Sequence, residues 1–198
     1  LADRTNLPSG CARIVATFET GAIAAKTMLR ARRHQRVTGR PFDTALTAAH
    51  MIYSGVFDKH PKLKVFFVHM DGALAPVVCR VNWNWELNYK GIQNPPIHKV
   101  DKNLRKPSEY FKTNIYVDTS GPSAIGLKTM IEMCGIDRVL FGTDFGPVPT
   151  NPKVHIDLVM DTITDAGDRN KIFSTNTLAL FRLSARTQLD RRGVAASD

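Results

Sequence analysis

At 198 residues the chain is long enough for one well-packed domain and short for two. Apolar content of 43% with 23% charged residues is that of an ordinary soluble globular protein, and no run of about 18 apolar residues exists to form a membrane span. The net charge of +9 invites a nucleic-acid partner, yet residues 1–40 hold eight basic against two acidic side chains, so +6 of it belongs to this lead segment, whose ARRHQR run lacks interleaved aromatics and reads as a solvated helix end.

Residues 1–40 carry little pattern. Val15 to Phe18 can make at most one short strand, and Thr20 to Arg33 fits a helix with a basic carboxyl end. The first residues lack the layout of a secretory signal. Cys11, Cys79 and Cys134 are scattered, odd in number and without CxxC spacing, which points to reduced thiols in a cytoplasmic protein.

From Pro41 the text changes. Asp43 is a candidate N-cap for a helix carrying Ala45, Leu46, Ala48, Ala49, Met51 and Ile52, stopped by Ser54-Gly55. Then comes LKVFFVHMDG, Leu63 to Gly72, in which Val65, Phe66, Phe67 and Val68 suit a strand buried on both faces and ending at His69. Ala73 to Leu87 reads as a helix with Pro76 in its first turn. Trp83 and Trp85, two apart, cannot share a helical face, so one is expected inside and the other on a partner surface.

After the Asn94-Pro95-Pro96 loop, Pro107 and Ser108 open a helical turn to Phe111. Asn114 to Val117 reads as a second strand running into Asp118-Thr119-Ser120, followed by a helix from Ser123 to Met133 that Gly135 stops. The third strand, Arg138 to Phe141, runs into Gly142-Thr143-Asp144. A helix from Val154 to Ile163 and a last helical region from Asp168 to near Leu183 follow, and residues 184–198 form a polar tail expected to be disordered.

Apolar strands that end in polar residues and then enter helices imply right-handed βαβ units, an α/β fold and a parallel sheet. Three strands cannot close a barrel of eight. Catalytic groups in such folds stand at the carboxyl ends of strands, which makes His69 and Asp144 the candidate pair, on neighbouring strands.

At this point three blocks become recognisable. GRPFDTALTAAHMIYSGVFDKHPKLKVFFVHMDGALAPVVCRVNWNWE, IDRVLFGTDFGP and DRNKIFSTNTLALFRL, in this order, resemble the metal-dependent amidohydrolase-2 family. Its members include aminocarboxymuconate-semialdehyde, resorcylate and 6-methylsalicylate decarboxylases. The resemblance runs from about Gly39 to Leu183. It implies the carboxyl-terminal part of a (β/α)8 TIM-type barrel, with residues 1–40 a lead without family likeness, 41–183 the barrel half and 184–198 the tail.

By the same resemblance His69 ends barrel strand five and Asp144 ends strand eight. Relatives hold one divalent metal, usually zinc, through an HxH pair, a strand-four His and the strand-eight Asp. Asp144 is then the metal ligand, and with His69 the catalytic pair. No two of the histidines His34, His50, His60, His69, His98 and His155 are spaced as HxH. Arg80 matches an arginine that binds the substrate carboxylate, in some relatives across a subunit boundary, so a homo-oligomer is expected of the full barrel.

The activity implied is non-oxidative decarboxylation of an aromatic or enoic carboxylic acid, a small-molecule substrate, with no nucleic-acid or membrane partner. Hydrolysis by metal-bound water is the alternative within the family. An inactive half-barrel, or one half of a split barrel needing a partner chain, is the alternative outside enzyme function.

Overall fold

Four short parallel strands stand side by side in the order in which the chain makes them: β1 (Ile14–Ala16), β2 (Lys64–Phe67), β3 (Ile115–Asp118) and β4 (Val139–Leu140). They belong to the residues that the computed structural model describes, 14–16, 39–70, 73–89, 103–146 and 149–183. Val65 faces Val15 on one side and Ile115 on the other, and Val117 faces Val139. Since side chains alternate along a strand, this register sends Val65, Phe67, Ile115, Val117 and Val139 to one face, where each is 0% exposed.

Eight α-helices accompany the strands among the described residues: α1 (Arg40–Tyr53), α2 (Val56–Lys59), α3 (Leu74–Tyr89), α4 (Pro107–Phe111), α5 (Ala124–Cys134), α6 (Pro152–Thr162), α7 (Ala166–Asn170) and α8 (Asn176–Phe181). Ala48 and Ile52 of α1, Phe57 of α2, Phe111 of α4, and Leu127 and Met130 of α5 join the core-facing strand residues in one buried cluster.

Several expectations change. The central strand is covered on one face: Lys64 and Phe66 alternate with Val65 and Phe67 and stay half-buried. A run of four apolar residues cannot tell a strand with two covered faces from one whose second face is open. The lead supplies one strand, as its sequence allowed, but at Ile14–Ala16, and that strand pairs with β2 and so belongs to the sheet. Asp43 lies inside the first turn of α1, whose N-cap is Gly39 with Pro41 at the helix start. Asp165, through its side chain, caps the last helical region by accepting from the Asp168 amide. Trp83 is exposed and Trp85 half-buried. The helix expected over Thr20–Arg33 and the tail 184–198 lie outside the described residues.

The amino end of the sheet is tied by a polar cluster. Tyr110, fully buried, donates its hydroxyl proton to Asp58, and the Arg105 guanidinium stacks 4.2 Å over its ring. Arg105 also donates to Asn114 Oδ1 at 3.2 Å, and Asn114 donates in turn to the Leu63 carbonyl at 2.8 Å. Burial and the Asp58 carboxylate push the Tyr110 hydroxyl up to about 12 from its ordinary value of 10.0.

Because the folded state holds this proton more tightly than the unfolded one, the stability it contributes is present below pH 10 and is lost as pH rises towards 12. Tyr110→Phe should therefore be less stable by about 1–3 kcal/mol at neutral pH. The gap should narrow above pH 10 in urea titrations at successive pH values. A gap that stays constant to pH 12 would count against this role.

Candidate active site

His69 stands two residues beyond β2, and Asp144 lies in the loop after β4. Their side chains meet, with His69 Nε2 3.5 Å from Asp144 Oδ2, and each is about 30% exposed, at 30% and 31%. The two strands are not neighbours as expected, because β3 runs between them. The pair meets because the chain turns over at the strand ends.

The backbone records that turn. His69 (φ 58), Met70 (φ 54) and Asp144 (φ 54) are all left-handed without being glycine. Each such residue costs on the order of 1 kcal/mol or more and persists where surrounding bonds hold it. Counting strands also changes the barrel positions. If the strand before Asp144 is the eighth, sheet order makes the strand before His69 the sixth and β1 the fifth.

The holding bonds come from the end of β3. Asp118, 4% exposed, accepts through Oδ1 from the Met70 amide at 3.3 Å and from the Ser120 amide at 3.1 Å. The Ser120 hydroxyl lies 2.8 Å from both carboxylate oxygens, and its oxygen accepts from the His69 amide at 3.1 Å. Burial pushes the Asp118 carboxyl up, and the donors of Ser120 and Met70 pull it back. Thr119 Oγ1 donates to the Gly142 carbonyl at 2.9 Å and accepts from the Gly142 amide at 3.1 Å. The Thr119 carbonyl lies 3.0 Å from Nδ1 of His155, which is 1% exposed on α6; since a carbonyl only accepts, Nδ1 carries the proton.

Gly142 is needed for this packing. A Cβ there would stand 2.9 Å from Asp118 Oδ2 and 3.1 Å from its Cβ. The carboxylate is buried and bonded, so it cannot swing away. Gly142→Ala should cost about 1–3 kcal/mol, read as a lowered urea midpoint. An unchanged midpoint would show that the layer has slack.

Sequence reasoning located His69 and Asp144 by their places at strand ends. It saw Asp118-Thr119-Ser120 only as a polar strand end, and gave no role to His155. Arg80 is exposed on α3, and no hydrogen bond or ion pair among the described residues joins it to the pair. His50 and His60 are exposed, Cys79 is exposed and Cys134 buried, both as free thiols. No described helix is long and apolar enough to cross a membrane.

A parallel βα sheet with its polar pair at the carboxyl ends of strands is matched along residues 15–183 by the family Amidohydrolase. The chain belongs to that family. The amidohydrolase match begins at residue 15, inside the lead segment that was expected to lack family likeness. Strand β1 explains why, since it is part of the common sheet.

Gamma-resorcylate decarboxylase from Rhizobium radiobacter is 32% identical over 154 residues, covering 73% of this chain and 42% of that protein. The 2,6-dihydroxybenzoate decarboxylase from Rhizobium superposes with a TM-score of 0.70 at 24% identity, over 86% of this chain and 51% of the other. A dihydroxybenzoic acid decarboxylase from Polaromonas, solved with manganese and the inhibitor 2-nitroresorcinol, gives a TM-score of 0.62 at 29% identity, over 78% and 46% of the two chains. The chain thus spans about half the length of the relatives it matches, and its sheet matches part of their (β/α)8 barrel.

A zinc site needs about three protein ligands. Among the described residues no group of three His, Cys, Asp or Glu side chains is placed to hold a metal ion. His69 and Asp144 alone do not make a complete metal site.

Proposed function

We propose that this chain is the carboxyl-terminal part of a non-oxidative decarboxylase acting on an aromatic carboxylic acid. The observation that carries the reading is the His69–Asp144 pair, brought together across β3 on left-handed backbone at the carboxyl ends of parallel strands. Decarboxylation replaces carbon dioxide by a proton on the ring carbon. An imidazole suits that delivery, because its two nitrogens exchange protons near neutrality. The 3.5 Å between His69 and Asp144 is long for a hydrogen bond; catalytic contacts of this kind tighten when substrate arrives.

In the complete barrel Asp144 is one ligand of a divalent metal, zinc in this reading, and its remaining ligands lie outside the described residues. Arg80, exposed on α3, is assigned in this reading to the substrate carboxylate of a neighbouring subunit, whose two oxygens its forked donors would match. The test is carbon dioxide release from hydroxylated benzoates by the chain assembled with the rest of the barrel. Hydrolysis of an ester or amide in place of decarboxylation would overturn it in favour of the hydrolytic chemistry of the same family.

A second reading rests on its own observation. The described sheet has four strands and does not close, and the chain covers 42% of a relative's length. On this reading the 198 residues act only when joined by the remaining strands, and are inert by themselves.

A further inference from the structure

We propose that Asp118 and Ser120 are positioning residues that hold His69 against Asp144, with Thr119 locating the Asp144 loop from the same strand end. Three successive residues of one strand end reach both flanking strand ends. Ser120 and Asp118 take the His69 and Met70 amides after β2, and Thr119 takes both backbone groups of Gly142 after β4. The tripeptide is the bridge across which the two candidate groups are set 3.5 Å apart.

The chemistry of the bridge argues for more than a closed strand end. A buried carboxylate is an expensive terminator, and an amide or hydroxyl would satisfy one or two backbone groups at lower cost. What the carboxylate adds is direction. Ser120 has one hydroxyl proton, and with two carboxylate oxygens at 2.8 Å that proton is committed to Asp118. The Ser120 oxygen is thereby fixed as an acceptor aimed at the His69 amide. The Met70 side chain seats the same turn from the other side: it is 7% exposed, and a Cβ on Gly126 of α5 would come 2.8 Å from its Sδ. Two consecutive left-handed residues are thus fixed from the strand and from the helix.

The inference rests on reading His69 and Asp144 as the site, so its test uses neither metal nor turnover. In the labelled full chain, nuclear magnetic resonance follows two quantities: hydrogen exchange of the His69 and Met70 amides, and the shift of the His69 ring resonances caused by Asp144→Asn. In the wild type both amides should be protected and the ring should respond.

Ser120→Ala should speed exchange at His69 about tenfold and abolish the ring response, while amides of α5 and β3 keep their rates. Ser120→Thr, which retains the hydroxyl, should restore both. A merely structural serine would change exchange everywhere and leave the ring response in place.

Unprotected His69 and Met70 amides in the wild type overturn the proposal without any variant. So does a ring response that survives Ser120→Ala. Should Ser120→Ala not fold, Asp118→Asn takes its place, and an intact ring response there is equally fatal. A ring response that behaves as expected, with no decarboxylation once the chain is assembled with the rest of the barrel, would refute the proposed function and leave this inference standing.

Discussion

Purified by itself, the 198-residue chain is expected to carry well under one divalent metal per polypeptide after gel filtration, and a mild chelator should strip what remains. The reason is arithmetic of donors: a stable site takes about three protein ligands, and the described residues bring together only His69 and Asp144. Supplying the rest of the barrel as a separate chain should raise occupancy towards one. In that assembly Asp144→Ala should abolish the bound metal. His69→Ala should spare the metal and lower turnover by roughly 10²–10⁴-fold, the range expected when a positioned acid–base group is lost. One tightly held metal per isolated chain, measured by elemental analysis together with decarboxylation, would show that further ligands lie within these residues.

The second large effect is on stability, and it uses two adjacent phenylalanines. Phe67 is 0% exposed on the helix-covered face of β2, and Phe67→Ala should cost about 3–5 kcal/mol through lost burial and the cavity left behind. Against a typical domain stability of about 5–15 kcal/mol this approaches unfolding. Phe66, its neighbour, points to the other face and is half-buried. Phe66→Ala should cost less than about 1.5 kcal/mol. Urea midpoints for the two variants settle the matter, and equal losses would mean that the second face is covered after all.

That contrast also marks how far the sequence could be read. The strand at Val65 to Phe67, the helix from Leu74 and the stop at Gly135 follow from local rules: apolar runs, proline in a first turn, glycine past a helix end. Whether Phe66 is covered depends on what packs above it, which no window of residues contains. Strand β1 was hard to read for a related reason. Three residues inside a basic stretch carry almost no pattern, and their strand character comes from pairing with Lys64, Val65 and Phe66, fifty positions along the chain.

The site divides in the same way. His69 and Asp144 were legible because each follows an apolar strand. Their meeting across β3 was not, since it needs three left-handed residues whose side chains give no hint of that conformation. Asp118 and His155 were invisible as partners. Asp118 acts on a backbone amide 48 positions away, and His155 bonds a carbonyl 36 positions away.

The order of the sheet bears on how the polypeptide is made. Each strand lies beside the one synthesised before it, from β1 to β4. A ribosome delivering about 5–20 residues per second therefore releases the strands in the order in which they dock, and none has to be inserted between two already paired. Between one docking and the next the newest strand offers a bare row of amides and carbonyls, open to any other extended chain nearby. The crossover between Phe67 and Ile115, which carries α3 and α4, sets the length of the exposure that follows the docking of β2, and it is longer than the crossover between β3 and β4 that comes next.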